Sequence, residues 1–353
     1  MKLFKSILYA VAMALFMSFQ TASATGNLAT FGIDKTVYSK MSEDQKNKLI
    51  QKIQELNEFI ELQVKTKIPA DLIDQTIDLK INISFTDKPG RDGLFVPQDS
   101  GEHKISIQLV QVYSNGIKAL LAHEIFHAIH YQINPDEAAW VREGMAQVFE
   151  FITTNELNGR NTAAAIQNPM TPLLRTYDVE NNDPAQYGHN QLYFYYLYTH
   201  CGKDNLFWKL AAGQSHTGVK GSFLIDAILT EMNLAKPECK DFTESAITFE
   251  VAKAHNQFQF ANKESREQFF LYPSVITPKF TETISPSDLK STIQDLPVLS
   301  SFRMPLKKYI LQKGECKNCA IYFAETDFPF GVSESTPSNP ALYDIILVKL
   351  RRN

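Results

Sequence analysis

The first part of the chain alternates between helical and strand patterns of apolar residues. Over residues 42–60 apolar side chains recur at spacings of three and four, which predicts an amphipathic helix. Ser42 and Gln45 form a capping-box pattern at its start. Residues 77–85 and 104–109 alternate between apolar and polar positions, which predicts two half-buried strands. These elements predict a small sheet supported by at least one helix.

The later part of the chain is helical to about residue 260 and then changes character. Apolar and aromatic stripes predict a helix that ends before Gly202, and further helices after it. From about residue 268 prolines recur and helical spacing disappears. Short β-favouring runs appear instead at residues 298–302, 308–311, 320–324 and 343–350. We therefore predict an α+β fold. A small sheet plus a helical bundle occupies residues 25–265, and a small β-sandwich-like domain occupies residues 266–353.

Residues 1–24 have the pattern of a secretory signal peptide. Lys2 and Lys5 precede an apolar run over residues 7–16, and Ala22-Ser23-Ala24 forms a small-residue cleavage site. No later segment is long and apolar enough to cross a membrane. We expect an exported protein, periplasmic or extracellular, with no stable membrane insertion.

The composition excludes some classes of function. The net charge is −4 and 44% of the residues are hydrophobic, which is typical of a soluble globular protein. No basic stripe appears along the chain, so we expect no nucleic-acid partner. The composition leaves the oligomeric state open.

The four cysteines indicate structural disulfides, because an exported chain folds in an oxidising compartment. Three pairings are possible. Cys316 and Cys319 could close one small loop, which would leave Cys201 to pair with Cys239. A redox role for the C-x-x-C pair would need a thioredoxin-like context that is missing, and a four-cysteine zinc site would need a second closely spaced pair.

The strongest chemical signal is an H-E-x-x-H pattern in the apolar helical run over residues 120–130. Residues four apart on a helix differ by about 40° in direction, so His123 and His127 can reach one metal ion. Glu124 lies beside the first histidine, where its carboxylate can accept a proton from an attacking water molecule. The alternative is a chance pattern on an amphipathic helix.

A catalytic zinc ion takes three protein ligands and keeps one open position, so two histidines require a third partner. Glu143 begins a second helical pattern, after the loop signal Asn134-Pro135-Asp136. A helix, a short turn and a returning helix would bring Glu143 to the two histidines. The alternative for Glu143 is an exposed first-turn glutamate.

Together, H-E-x-x-H and the following W-x-x-E-G-x-A-x-x-x-E resemble the gluzincin zinc metallopeptidases, which include the zinc aminopeptidases. The resemblance covers residues 119–150 closely and extends more weakly to about residue 215. It implies a thermolysin-like zincin catalytic domain, one Zn²⁺ per chain, and Glu143 as the third zinc ligand. The gap after His127 is shorter than in the aminopeptidases, and no G-A-M-E-N-like segment is present, so the resemblance does not imply amino-terminal specificity.

The resemblance also implies roles outside the metal ligands. Tyr187, at the start of an apolar helix, matches the tyrosine that donates a hydrogen bond to the oxyanion, with His189 as a second candidate. Residues 93–97 or 104–109 match the edge strand against which an extended substrate lies. For Tyr187 the alternative is an interfacial aromatic residue, and for either strand it is an ordinary position within the sheet.

His130 lies on the same helical face as His123, seven residues further on. The H-E-x-x-H-x-x-G-x-x-H class would use a third histidine after a helix-breaking glycine, and Asn134-Pro135 stands here instead. We therefore interpret His130 as a core residue or a neighbour of the ligands.

The sequence predicts an exported zinc-dependent peptidase. Glu124 serves as general base for a metal-activated water, and the partner is a peptide or protein substrate. Two alternatives remain open. One is a catalytically silent zincin-fold binding protein, and the other is a glycoprotein-directed metallopeptidase.

Overall fold

The computed structural model describes residues 28–33, 35–75, 80–86, 92–98, 102–168, 183–213, 216, 218–236, 239–254, 301–305, 319–325, 332–333 and 343–349. The predicted signal peptide and Cys316 lie outside these residues. The chain divides into two compact units, with the boundary between Lys118 and Ala119. The predicted domain boundary at residue 265 stays a prediction.

The first unit contains a mixed four-stranded sheet and short helices. The strands are β1 (Ala29–Ile33), β2 (Lys80–Thr86), β3 (Gly93–Val96) and β4 (Glu102–Gln108), in the order β1-β2-β4-β3. Strands β1, β2 and β4 are parallel, and β3 pairs antiparallel with β4. The helices are α1 (Lys35–Lys40), α2 (Glu43–Phe59) and α3 (Ala70–Gln75).

The pattern of burial in the first unit follows the sequence pattern. On β2, Ile81, Ile83 and Phe85 are buried, and the residues between them are less so, as period-two alternation requires. The capping box at Ser42 and Gln45 is confirmed, because each residue's side chain bonds the other's backbone N–H.

Strand β3 lies at an edge of the first sheet, whereas β4 lies between β2 and β3. Of the two segments considered as a substrate edge, residues 104–109 therefore lie mostly in an interior strand, because 104–108 belong to β4 and Leu109 begins the helical turn after it. The backbone groups of β3 on the side away from β4 have no pairing strand among the described residues.

The second unit is mostly helical. Its helices are α4 (Ile117–Ile133, which begins just before the boundary), α5 (Ala139–Thr154), α6 (Gly159–Gln167), α7 (Pro184–Tyr196), α8 (Lys203–Ala212), α9 (Ser222–Met232) and α10 (Phe242–Ala254). Aromatic rings join three of them: Phe126 of α4 lies 5.1 Å from Phe149 of α5 and 5.4 Å from Phe207 of α8, centroid to centroid.

A disulfide joins Cys201 to Cys239. Cys201 lies in the helical segment Leu197–Gly202, which continues α7, and Cys239 lies three residues before α10 begins. This is one of the pairings that the sequence left open. A disulfide is compatible with an extracellular location. Among the described helices, none combines the length and apolarity needed to cross a membrane.

Four antiparallel strands follow the helices: β5 (Ser301–Pro305), β6 (Cys319–Glu325), β7 (Val332–Ser333) and β8 (Tyr343–Lys349), in the order β5-β8-β6-β7. The predicted β-favouring runs near residues 320 and 343 are therefore strands, whereas the run near residue 308 lies outside the described residues. The two four-stranded sheets and the helices of the second unit confirm the α+β class.

Candidate metal centre

The two histidines of the H-E-x-x-H pattern lie one turn apart on α4, and their side chains converge. The Nε2 atoms of His123 and His127 are 3.0 Å apart, and their rings meet edge to face. Both side chains are largely buried, with 14% and 13% of their surface exposed. Helical spacing therefore places two imidazole nitrogens side by side, as the sequence predicts.

Glu143 reaches the same point from α5, because a five-residue turn reverses the chain between the helices. Its Oε2 lies 3.3 Å from His123 Nε2, and its Oε1 lies 3.5 Å from His127 Nε2. Glu143 contacts His127 and Glu150 contacts His123, so the helices run antiparallel and the second turn of α5 faces the middle of α4. The structure thus brings together the three residues predicted as metal ligands.

These three side chains could hold a metal ion, since one ligand atom from each lies within 4.8 Å of the others. An ion bonded tetrahedrally at about 2.0–2.1 Å separates its ligand atoms by about 3.3–3.4 Å. The measured separations of 3.0, 3.3 and 3.5 Å bracket that value, although the carboxylate uses a different oxygen toward each imidazole. Two imidazoles and one carboxylate suit several divalent transition metals.

Glu150 is a functional neighbour that the sequence reasoning did not assign. Its Oε1 lies 2.7 Å from Nδ1 of His123, and the residue is only 5% exposed. A hydrogen bond from Nδ1–H to a carboxylate fixes the tautomer that leaves Nε2 free to bind a metal ion. The sequence contained a signal that could have identified Glu150. It follows Glu143 by seven residues and so lies on the same face of the helix.

The two carboxylates and the imidazoles strongly perturb one another. Burial alone would lower the pKa of His123, but hydrogen bonds and charge attraction from Glu143 and Glu150 raise it well above its ordinary value. Burial would raise the pKa of Glu143, but the imidazoles of His127 and His123 hold it far below its ordinary value. The group therefore favours an ionised glutamate, the form that ligates a metal ion.

Glu124, the predicted general base, lies in the same turn of α4 as His123 and is 6% exposed. Tyr187 lies in the first turn of α7, where its N–H donates to the carbonyl oxygen of Asp183 at 3.2 Å. The structure gives the helical position of both residues. Their predicted catalytic roles stay predictions.

His189 and His130 are both buried, and neither is one of the three converging side chains. His189 Nε2 donates to the carbonyl oxygen of Asn168 at 2.9 Å, which ties α7 to the end of α6. Burial, with His127 and Arg142 nearby, lowers the pKa of His130 to about 3, so its ring is neutral at ordinary pH. Neither residue belongs to the His123–His127–Glu143 group.

A second buried carboxylate holds the turn between α4 and α5. Oε1 of Glu137 accepts hydrogen bonds from the N–H of Ala138 at 2.6 Å and from the N–H of Gly221 at 2.7 Å. Gly221 has a φ of +61°, which favours glycine. Asn134 Nδ2 donates to Oε2 at 3.4 Å. Glu137 thereby fastens the turn that precedes Glu143 to the start of α9, a role with no local sequence signal.

The glycine of the E-G-x-A motif serves helix packing. A Cβ at Gly144 would lie 2.3 Å from the ring of Phe194 and 3.1 Å from the carbonyl oxygen of Asn190. Helix α7 therefore crosses α5 closely beside Glu143, the predicted third ligand. Trp140, one turn earlier on α5, packs against the same Phe194 with ring centroids 5.6 Å apart.

No model of a known protein family matches this chain, and no curated protein matches it.

Proposed function

We propose that this protein is an exported zinc-dependent peptidase of gluzincin type. The observation that carries the proposal is the convergence of His123, His127 and Glu143, with contacts of 3.0–3.5 Å, beside the buried Glu124. Two imidazoles and a carboxylate are a ligand set of catalytic zinc sites, which leave one position for water or substrate. The disulfide supports export to an oxidising compartment.

The roles of the chain's residues follow from this arrangement. Zinc bound here would act as a Lewis acid toward the scissile carbonyl and would lower the pKa of a water molecule. Glu124 accepts the proton of the attacking water and delivers it to the leaving amine. Tyr187 donates a hydrogen bond to the oxyanion. Glu150 keeps His123 in the tautomer that presents Nε2.

The finer fold assignment belongs to the same proposal. We assign the first sheet and the helices to a thermolysin-like zincin domain, as the resemblance implies. In such a domain an extended substrate adds to an edge strand of the sheet, and β3 is an edge strand of the described first sheet. The antiparallel strands β5 to β8 belong to a β-rich domain over residues 266–353, which braces the catalytic domain or contributes to substrate binding.

The decisive experiment compares the wild type with Glu124→Gln. Both proteins are purified without the signal peptide, dialysed against metal-free buffer, and analysed for zinc content and for cleavage of a quenched-fluorescence peptide library. We expect about one zinc per chain in both proteins, and turnover in the wild type alone. A Glu124→Gln variant with full activity would contradict the mechanism.

The same measurements separate the competing functions. A wild type that binds zinc and cleaves unmodified peptides supports the general peptidase. Cleavage that occurs only on glycosylated substrates favours the glycoprotein-directed enzyme. A folded wild type that does not bind added zinc would favour the catalytically silent binding protein.

Tyr187→Phe tests the oxyanion role separately. Loss of one such donor lowers kcat by about 100- to 1,000-fold. Zinc content should remain that of the wild type, because Tyr187 is outside the ligand group. Unchanged kcat with full zinc content would show that Tyr187 is a structural aromatic residue.

A further inference from the structure

Three carboxamide side chains are buried on helices α5 and α7: Gln147 on α5, and Asn190 and Gln191 on α7. Each is at most 1% exposed, and none of their oxygen or nitrogen atoms has a hydrogen-bond partner among the described residues. Buried polar groups without partners destabilise a fold, and an apolar side chain of similar shape would avoid that cost. Their presence therefore calls for a separate explanation.

Gln147 differs from the other two in its position relative to the ligand group. It lies four residues after Glu143 and three before Glu150, so the three side chains share one face of α5. The contacts of Glu143 with His127 and of Glu150 with His123 set the antiparallel register. In that register Gln147 is level with the turn of α4 that carries His123 and Glu124.

Helical side chains lean toward the N-terminus of their helix, so Gln147 covers the turn that carries Glu143. Its Nε2 offers two hydrogen-bond donors, and the carboxylate of Glu143 has more acceptor sites than the two imidazoles use. When a metal ion takes one carboxylate oxygen and the imidazole nitrogens, the other oxygen loses its imidazole contact. That oxygen can then accept a hydrogen bond from another donor, and the buried carboxamide of Gln147 has both of its N–H groups to offer.

We propose that Gln147 is a positioning residue for Glu143, whose Nε2 donates to the carboxylate oxygen that does not face the metal ion. The inference rests on the metal site of the proposed function. Gln147 then contributes to metal affinity and not to the stability of the metal-free chain. In the metal-free chain its carboxamide is an unpartnered polar group, whereas in the metal-bound chain it orients a ligand.

The test uses Gln147→Met, which keeps the length of the side chain and removes its donors and acceptor. Gln191→Met is the matched control, because Gln191 is equally buried and unpartnered but lies on α7, which carries none of the three ligands. Zinc affinity is measured by titration against a chromophoric chelator. The melting temperature is measured on the metal-free chains.

We expect Gln147→Met to weaken zinc binding by about 10- to 100-fold, the usual effect of losing an outer-shell partner. Its metal-free melting temperature should equal or exceed that of the wild type, and Gln191→Met should keep wild-type affinity. Wild-type affinity in Gln147→Met would overturn the inference, and so would an equal loss in both variants. Gln147→Leu repeats the test if Gln147→Met fails to fold.

The outcomes separate this inference from the proposed function. A wild-type chain that binds no zinc would overturn both. If the wild type binds zinc and Gln147→Met binds it equally tightly, the metal site of the proposed function stands and only the role of Gln147 is overturned.

Discussion

Two glutamates near the start of α5, the buried Glu137 and the half-buried Glu143, have opposite electrostatic surroundings. Each oxygen of Glu143 faces an imidazole, and the pKa of its carboxyl is held far below the ordinary value despite burial. One oxygen of Glu137 accepts two backbone N–H groups, and burial raises the pKa of that carboxyl. Backbone dipoles offset less of the desolvation cost than imidazoles do.

The difference indicates what each carboxylate can do. The partners of Glu143 are imidazole nitrogens, which are able to bind a metal ion, so all three groups could turn to one ion without leaving their helices. The partners of Glu137 are amides fixed in the backbone, so Glu137 fastens the turn and has no exchangeable partner. We therefore expect Glu143 to bind the metal ion and Glu137 to hold the turn in the geometry that binding requires.

The largest expected effect is on metal binding by Glu143→Ala. Removal of one of three ligands should weaken zinc binding by more than about 100-fold, beyond the effect of losing an outer-shell partner. Elemental analysis after dialysis, together with a competitive titration, measures the loss. Glu137→Ala is the control, and its folded form should still bind zinc, because Glu137 is not one of the three predicted ligands. Full zinc content in Glu143→Ala would show that the third ligand lies elsewhere.

Glu137→Ala should instead lower the free energy of unfolding. It leaves the N–H groups of Ala138 and Gly221 without their acceptor, at about 1–3 kcal/mol each, or about 2–6 kcal/mol in total. Denaturant unfolding of the metal-free chain measures the change. Glu137→Gln keeps an oxygen acceptor and should lose much less. Equal losses in the two variants would mean that the charge, and not the acceptor, holds the turn.

Glu150→Ala tests whether a carboxylate outside the ligand set still supports binding. Loss of the partner of His123 Nδ1 should weaken zinc binding by about 10- to 100-fold, or about 1.4–2.7 kcal/mol. Glu150→Gln keeps an acceptor without the charge and should fall between the wild type and Glu150→Ala. The chelator titration would count against the tautomer-fixing role if Glu150→Ala bound zinc as tightly as the wild type.

The smallest expected effect is a pH dependence contributed by Glu137. Its pKa is raised in the fold above the ordinary 4.5, chiefly by burial, so the folded chain holds its proton more tightly than the unfolded chain. Its contribution to stability is therefore fully present below pH 4.5 and is lost as the pH rises through the folded-state pKa. The stability difference between the wild type and Glu137→Gln, measured against pH, should fall over that range. A flat difference would contradict the raised pKa.

Local periodicity explains why much of the site could be predicted. His123 and His127 are four residues apart on an apolar helix, so their convergence follows from helical geometry alone. Glu143 required one further step, a short turn between two helices, and the Asn-Pro-Asp signal supplied it. The α+β class followed similarly, from alternation over residues 77–85 and 104–109 and from helical stripes later in the chain.

The remaining features depend on contacts between segments far apart in sequence. The bond of Glu137 to Gly221 spans 84 residues, the partner of Cys201 was one of three possibilities, and the edge position of β3 depends on strand order. Periodicity determines the direction of a side chain relative to its own helix or strand. Only the crossing of helices and the pairing of strands decides which partner lies in that direction, because many packings share the same local pattern.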